Sequence, residues 1–254
     1  MDRKVSLVAI TSLVCCSLSA QGAILLGTAG NFAVLAGSAI TNTGPSVVEG
    51  GHVGVSPGTA ITGFPPGMVA PPGVLHSAGP VALQAQDDLT TAYNVAAGLP
   101  VTQVLTGVDL GTVVLTPGVY FFSSSAQLTG QLTLDAQGDP DAEFVFQIGS
   151  TLTTASASSV VMINAAGELG CNVFWQVGSS ATLGTGTDFV GHIMALASIT
   201  MNTGSSIIEG SALARNGAVT LDDNHIVNCV DVIPTPSGAA LAALGGLLAA
   251  RRRR

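Results

Sequence analysis

Two acidic runs are the first places where this sequence could do chemistry. Asp139, Asp141 and Glu143 alternate in Gly138-Asp139-Pro140-Asp141-Ala142-Glu143, a spacing at which carboxylate oxygens could surround a calcium ion, although Pro and Gly there read more simply as a turn. Asp222, Asp223, Asn224 and His225 make a second polar cluster, which a loop or the end of a stack of strands would equally explain. His52, His76, His192 and His225 are scattered, without the HExxH spacing of a zinc protease, and no GxSxG nucleophile motif is present. Between Lys4 and Arg251 the chain contains no lysine, and Arg215 is its one basic residue. That counts against a polysaccharide lyase, which wants a basic residue beside bound calcium, and against nucleic acid or anionic lipid, whose binding rests on basic contacts to phosphate. Trp175, Tyr93 and Tyr120 form no evident platform for stacking sugars, and Trp175 lies in an apolar strand phrase that reads as core. No cofactor is implied.

What remains is an array of hydroxyls. One phrase recurs four times with different neighbours: Thr151-Leu152-Thr153-Thr154-Ala155, Thr182-Leu183-Gly184-Thr185-Gly186, Thr200-Met201-Asn202-Thr203-Gly204 and Thr220-Leu221-Asp222-Asp223-Asn224. Strand side chains alternate between faces, so the large apolar residue points one way and the threonine before it the other. Internal repeats of this kind suggest stacked coils, in which equivalent residues lie about 4.7 to 4.9 Å apart. Outward threonines would then form a flat lattice of hydroxyls and methyls, at a spacing close to the oxygen repeat in ice. The alternative is a plain solvated face, since threonine is a good strand residue.

The elements that must position this array follow from the pattern. From Ile24 onward, short apolar strands such as Phe32–Ala36, Ala39–Thr41, Val47–Val48 and His52–Val55 are broken by Gly, Pro, Asn and Ser. Ile40-Thr41-Asn42-Thr43-Gly44 nearly repeats Ile199-Thr200-Met201-Asn202-Thr203-Gly204, which suggests that early strands dock beside late ones. Val81, Ala85, Leu89, Ala92 and Ala96 recur at helical spacing, predicting one amphipathic helix over 81–97 lying on a hydrophobic wall. Residues 1–23 read as a secretory signal, with Arg3 and Lys4 ahead of an apolar run. Export would leave Cys171 and Cys229, whose pairing is then chemically open; two buried thiols are the other reading. Residues 24–230 form the predicted solenoid domain. Residues 231–254 contain Pro234-Thr235-Pro236, an apolar segment from Ala239 to Ala250 and four arginines. This tail resembles a PEP-CTERM sorting signal, with Pro-Thr-Pro in place of Pro-Glu-Pro, and would engage sorting machinery and membrane.

Six phrases carry a further resemblance: Gly30-Asn31-Phe32-Ala33-Val34-Leu35-Ala36-Gly37, Gly54-Val55-Ser56-Pro57-Gly58, Ala92-Tyr93-Asn94-Val95-Ala96-Ala97-Gly98, Leu115-Thr116-Pro117-Gly118-Val119-Tyr120, Phe144-Val145-Phe146-Gln147-Ile148 and Phe174-Trp175-Gln176-Val177-Gly178. In this order they resemble the microbial ice-binding protein family. The resemblance implies a mainly β fold, a discontinuous right-handed β-helix of triangular section with one long α-helix packed alongside. It also implies adsorption to ice through one flat face without any reaction. The site residues expected on that face are Thr41, Thr43, Thr151, Thr154, Thr182, Thr185, Thr200, Thr203 and Thr220. A Thr-Ala/Gly-x-Thr/Asn motif frequent in the family is left incomplete here, most clearly at Ala157 and Asp188. The other function compatible with the scaffold is surface adhesion through extracellular polysaccharide or the cell envelope.

Overall fold

A computed structural model of the chain describes residues 24–165 and 169–229. The signal-like segment over 1–23 and the tail over 231–254 lie outside the described residues.

Strands of two to nine residues cannot bury a face alone, so they stack. The first coil is β1 (Phe32–Ala36), β2 (Ala39–Thr43) and β3 (Val47–Glu49), and the second is β4 (His52–Val55), β5 (Ala60–Thr62) and β6 (Met68–Val69), followed by β7 (Leu75–Ser77). Helix α1 (Pro80–Gly98) interrupts the winding. The chain then resumes with β8 (Gln103–Val104), β9 (Val114–Leu115), β10 (Gly118–Phe122), β11 (Ala126–Leu128), β12 (Gln131–Asp135), β13 (Phe144–Ile148), β14 (Leu152–Thr154) and β15 (Ser159–Ile163). It finishes with β16 (Val173–Val177), β17 (Ala181–Leu183), β18 (Asp188–Ala195), β19 (Ile199–Met201), β20 (Ser206–Ala214), β21 (Val219–Asp222) and β22 (His225–Val227).

Every strand pair is parallel, and the pairs sort into three faces of one β-solenoid. The first runs β9-β12-β15-β18-β20-β22-β3-β6, the second β11-β14-β17-β19-β21-β2-β5 and the third β8-β10-β13-β16-β18-β20-β1-β4-β7. Strands β18 and β20 serve two faces because each turns a corner midway, where the register shifts between Val190 and Gly191. Gly191 has φ +99°, and a Cβ there would sit 2.5 Å from the Val173 carbonyl oxygen, so the corner admits no side chain.

The winding is discontinuous, as the Ile40 and Ile199 echo predicts. β2 pairs with β21, which pairs with β19, so the two phrases lie in one sheet with a single strand between them. The N-terminal coils thus extend the C-terminal end of the stack. The helix makes this possible: its 19 residues carry the chain about 28 Å back along the third face at 1.5 Å per residue.

That face is buried on both sides. Inside it, Tyr120, Phe146 and Trp175 stack rung upon rung, the last two rings 3.8 Å apart and nearly parallel, and the Trp175 indole N–H donates to the Val190 carbonyl. Outside it, Leu35, Val119, Val145, Phe174, Met194 and Leu213 pack against Ala85, Leu89, Ala92, Tyr93 and Ala96 of α1. The buried stripe of the helix starts at Ala82; Val81, expected there, is exposed, because the helix meets the wall one residue later than the spacing suggested. Polar ties fix the docking. Gln147 donates to the Ala96 and Leu99 carbonyls, Gln86 to that of Ala214, and Tyr93 to that of Val177. Arg215 lies over the Tyr93 ring, 4.7 Å from its centroid, a cation–π contact. Asp88 accepts from both the hydroxyl and the amide of Thr28, contacts that hold its carboxyl below the usual range.

Cys171 and Cys229 are joined, with Cα atoms 5.7 Å apart at a sequence separation of 58. Closing a loop of that length in the unfolded chain stabilises the fold by up to about 4 kcal/mol in the chain-entropy picture. Beside the bond, His192 is buried, with Nδ1 2.7 Å from the Ser211 hydroxyl. Desolvation lowers its pKa from 6.5 to about 4.

This histidine makes stability depend on pH. The unfolded chain takes up the proton near pH 6.5, whereas folded His192 refuses it until about 4. Stability is therefore full above 6.5 and falls as the pH is lowered towards 4, by on the order of 3 kcal/mol. His52, also lowered by desolvation and by His76, adds a smaller effect of the same sign. Denaturant midpoints measured between pH 7 and pH 4 should fall, and the His192→Gln variant should flatten most of that slope; an unchanged slope in the variant would assign it to other groups.

Candidate functional site

Of the three faces, the third is covered by α1. The first is open but mixed. Asp188, Ser206 and His225 stand in one register, Glu49 and Asp135 carry charge, and His225 lies 3.6 Å from the Glu49 carboxylate. Val114, Ile163 and Ile208 are exposed on the same face.

The second face is different. Gln127, Thr153, Thr182, Thr200, Thr220, Thr41 and Thr62 stand in one register across its seven strands. The local cause is a recurrent dipeptide, an apolar residue followed by threonine: Leu152-Thr153, Ala181-Thr182, Ile199-Thr200, Val219-Thr220, Ile40-Thr41 and Ile61-Thr62. The apolar member is buried in five of the six and half-buried at Ile61, and alternation then sends threonine outward. Six inter-strand steps of about 4.8 Å make the row roughly 29 Å long. The hydroxyls of Thr41 and Thr220 lie 3.3 Å apart.

Two columns flank the row. On one side are Ser125, Thr151, Ser180 and Ser198. Thr151 donates to the Ser125 hydroxyl, Ser180 accepts from the Ser198 amide, and Ser198 accepts from that of Ala218. On the other side, Thr185, Thr203, Asp222 and Thr43 follow one another along the stack. Gly186 N donates to Thr203 O, Gly204 N to Asp222 O, and Asp223 N to Thr43 O.

The expected residues therefore fall into four groups. Thr41, Thr182, Thr200 and Thr220 form the central row. Thr43, Thr185 and Thr203 are exposed in the outer column. Thr151 belongs to the opposite edge. Thr154 is a correction: it is 3% exposed, its hydroxyl lies 2.8 Å from that of Thr187, and it accepts from the Gly184 amide. Leu152 pairs with Ala181 and Thr153 with Thr182. The repeat is thus two residues out of step with a reading that sets Thr151 against Thr182, and Thr154 takes an inward position. Thr153 and Thr62 belong to the row but were missed. Reading apolar-Thr rather than Thr-apolar would have found both.

Neither acidic run assembles a metal centre; among the described residues no group of three His, Cys, Asp or Glu side chains is placed to hold an ion. Asp139 is occupied in its own turn, accepting from the Asp141 amide. Glu143 is half-buried, and desolvation raises its pKa. Trp175, Tyr93 and Tyr120 are buried.

Comparison with known proteins agrees with this architecture. The Ice-binding-like family profile matches residues 34–227. An "Ice-binding protein" of Nostoc sp. is 56% identical over 241 residues, spanning 91% of this chain and 87% of that protein. Among solved structures, an ice-binding protein from an Antarctic biological consortium superposes with TM-score 0.77 at 46% identity, covering 88% of this chain and 96% of its own. That of the ascomycete Antarctomyces psychrotrophicus does so with TM-score 0.76 at 40% identity, over 81% of this chain and 98% of its own. The chain belongs to the Ice-binding-like family.

Proposed function

We propose that this protein is an exported, non-enzymatic ice-binding protein that adsorbs to ice through the face bearing Thr153, Thr182, Thr200, Thr220, Thr41 and Thr62. The observation that carries the reading is the register itself: six threonines in line on the one uncovered face whose central row is free of charge. β-Branched side chains are stiff at χ1, so the lattice is ordered before it meets a surface and loses little entropy on docking. Each threonine presents a hydroxyl that can join a water lattice and a methyl that holds water at a fixed distance. Carboxylates or ammonium groups would instead keep their own hydration. The relatives' names point to the same ligand. Adhesion to polysaccharide or envelope gains no comparable support, since the aromatic residues that would stack on sugars are interior.

Export is inferred from the composition of residues 1–23, and processing through a PEP-CTERM-like signal from Pro234-Thr235-Pro236 and the terminal arginines.

Thermal hysteresis and recrystallisation inhibition test the assignment. Thr200→Tyr, in the middle of the row, should abolish most activity while shifting stability by no more than about 0.5 kcal/mol. Thr133→Tyr, on the first face, should leave activity intact. Thr154→Val should do the reverse of Thr200→Tyr, retaining activity but losing about 1 to 3 kcal/mol of stability, because the buried Gly184 amide loses its acceptor. Activity that survives Thr200→Tyr and disappears with Thr133→Tyr would move the site to the first face.

A further inference from the structure

The outer column of the threonine face contains one interruption. Three rungs present the dipeptide Thr-Gly at the same corner: Thr185-Gly186, Thr203-Gly204 and Thr43-Gly44. The rung between the last two presents Asp222-Asp223 instead. In each, the second residue has positive φ, +64° at Gly186, +70° at Gly204, +78° at Gly44 and +53° at Asp223, and its amide or that of the rung before it keeps the column continuous. Asp222 ends its strand as Thr43 does and pairs with it directly, so those two rungs differ there in side chain.

The consequences reach beyond two positions. Asp222 places a carboxylate where its neighbours present a neutral hydroxyl. It also accepts the hydroxyl hydrogen of Thr203, which turns that donor sideways along the column and away from the surface. Asp223 is exposed and adds a second carboxylate where the neighbouring glycines leave the corner open; a Cβ on Gly186 or Gly204 would meet nothing within 4 Å. Strand β21 lies inside the sheet, flanked by β19 and β2. The defect therefore splits the outer column instead of shortening its end.

Resting on the ice-binding reading above, we infer that Asp222 and Asp223 limit adsorption: together they break the outer column while the central row runs on through Thr220. A carboxylate pressed against ice must give up part of its hydration without gaining a cation, since Arg215, the one arginine or lysine among the described residues, is engaged with Tyr93 and Thr90, and His225 lies on the first face beside Glu49. Such uncompensated desolvation is unfavourable. A rung carrying Thr-Gly would remove both charges, free the Thr203 hydroxyl and run the column unbroken over four rungs.

The test compares wild type with D222T/D223G, D222N and Thr200→Tyr, each checked for an unchanged or raised melting temperature. The double variant should lower the concentration needed for half-maximal recrystallisation inhibition by about threefold or more, equivalent to a modest gain in binding free energy. D222N, which removes charge but still accepts from Thr203, should recover only part of that gain. Equal or lower activity in the folded double variant, with wild-type activity still abolished by Thr200→Tyr, would overturn the limit set by the two carboxylates and leave the ice-binding assignment standing. Absence of activity in wild type and double variant alike would overturn both, whereas activity appearing only in the double variant would support both.

Discussion

Parallel stacking in register is the constraint from which everything else in this molecule follows. Each rung donates its backbone hydrogen bonds to the next, so equivalent residues must recur at the strand spacing. What the sequence places at one rung is therefore copied along the axis as a column. Inside, the columns are Tyr120, Phe146 and Trp175 and the aliphatic residues of the core; outside, on one face, they are threonines. A solenoid converts a short repeated phrase into a periodic surface, and a periodic surface can match a crystal.

The same constraint creates exposed hydrophobic sheet that must be covered, and the covering decides which face stays free. The strands of the third face are apolar on both sides, which demands a partner, and α1 supplies it with a stripe rich in alanine. Its docking employs Arg215, so the lone basic residue among the described residues is spent on structure. The first face retains Asp188, His225 and Glu49 among exposed aliphatics, a pattern with no regular water geometry. Only the second face combines exposure, uniformity and a neutral centre. The Cys171–Cys229 bond links the segment preceding β16 to the chain beyond β22, spanning the two rungs that turn their corners in β18 and β20.

Much of this was legible in the sequence, for physical reasons that also explain what was not. The solenoid class, the helix and the docking of early strands beside late ones followed from patterns that survive in one dimension: alternation, a 3.6-residue stripe and an echoed phrase. The register did not. Thr151-Leu152 and Thr182-Leu183 look alike, yet Leu152 lies against Ala181, since the rung between them is 29 residues long rather than 31 and its loop absorbs the difference. A residue's face depends on counting by twos. Thr151 and Thr153 are both outward but in different columns, and Thr154, one further, is buried. Hydrogen bonds across the stack, such as Thr154 to Thr187 and Asp222 to Thr203, connect residues that no local spacing associates.

The central claim is that ice itself, and not a hydration layer distinct from it, lies against the threonine row. Solid-state NMR of the protein in frozen solution, following proton magnetisation from ice into side-chain methyls, measures this directly. The account predicts rapid transfer to the methyls of Thr153, Thr182, Thr200, Thr220, Thr41 and Thr62, and slow transfer to Val161, Val190 and Ile208 on the first face. Transfer of the opposite order, or a threonine row seeing only mobile unfrozen water, would contradict it.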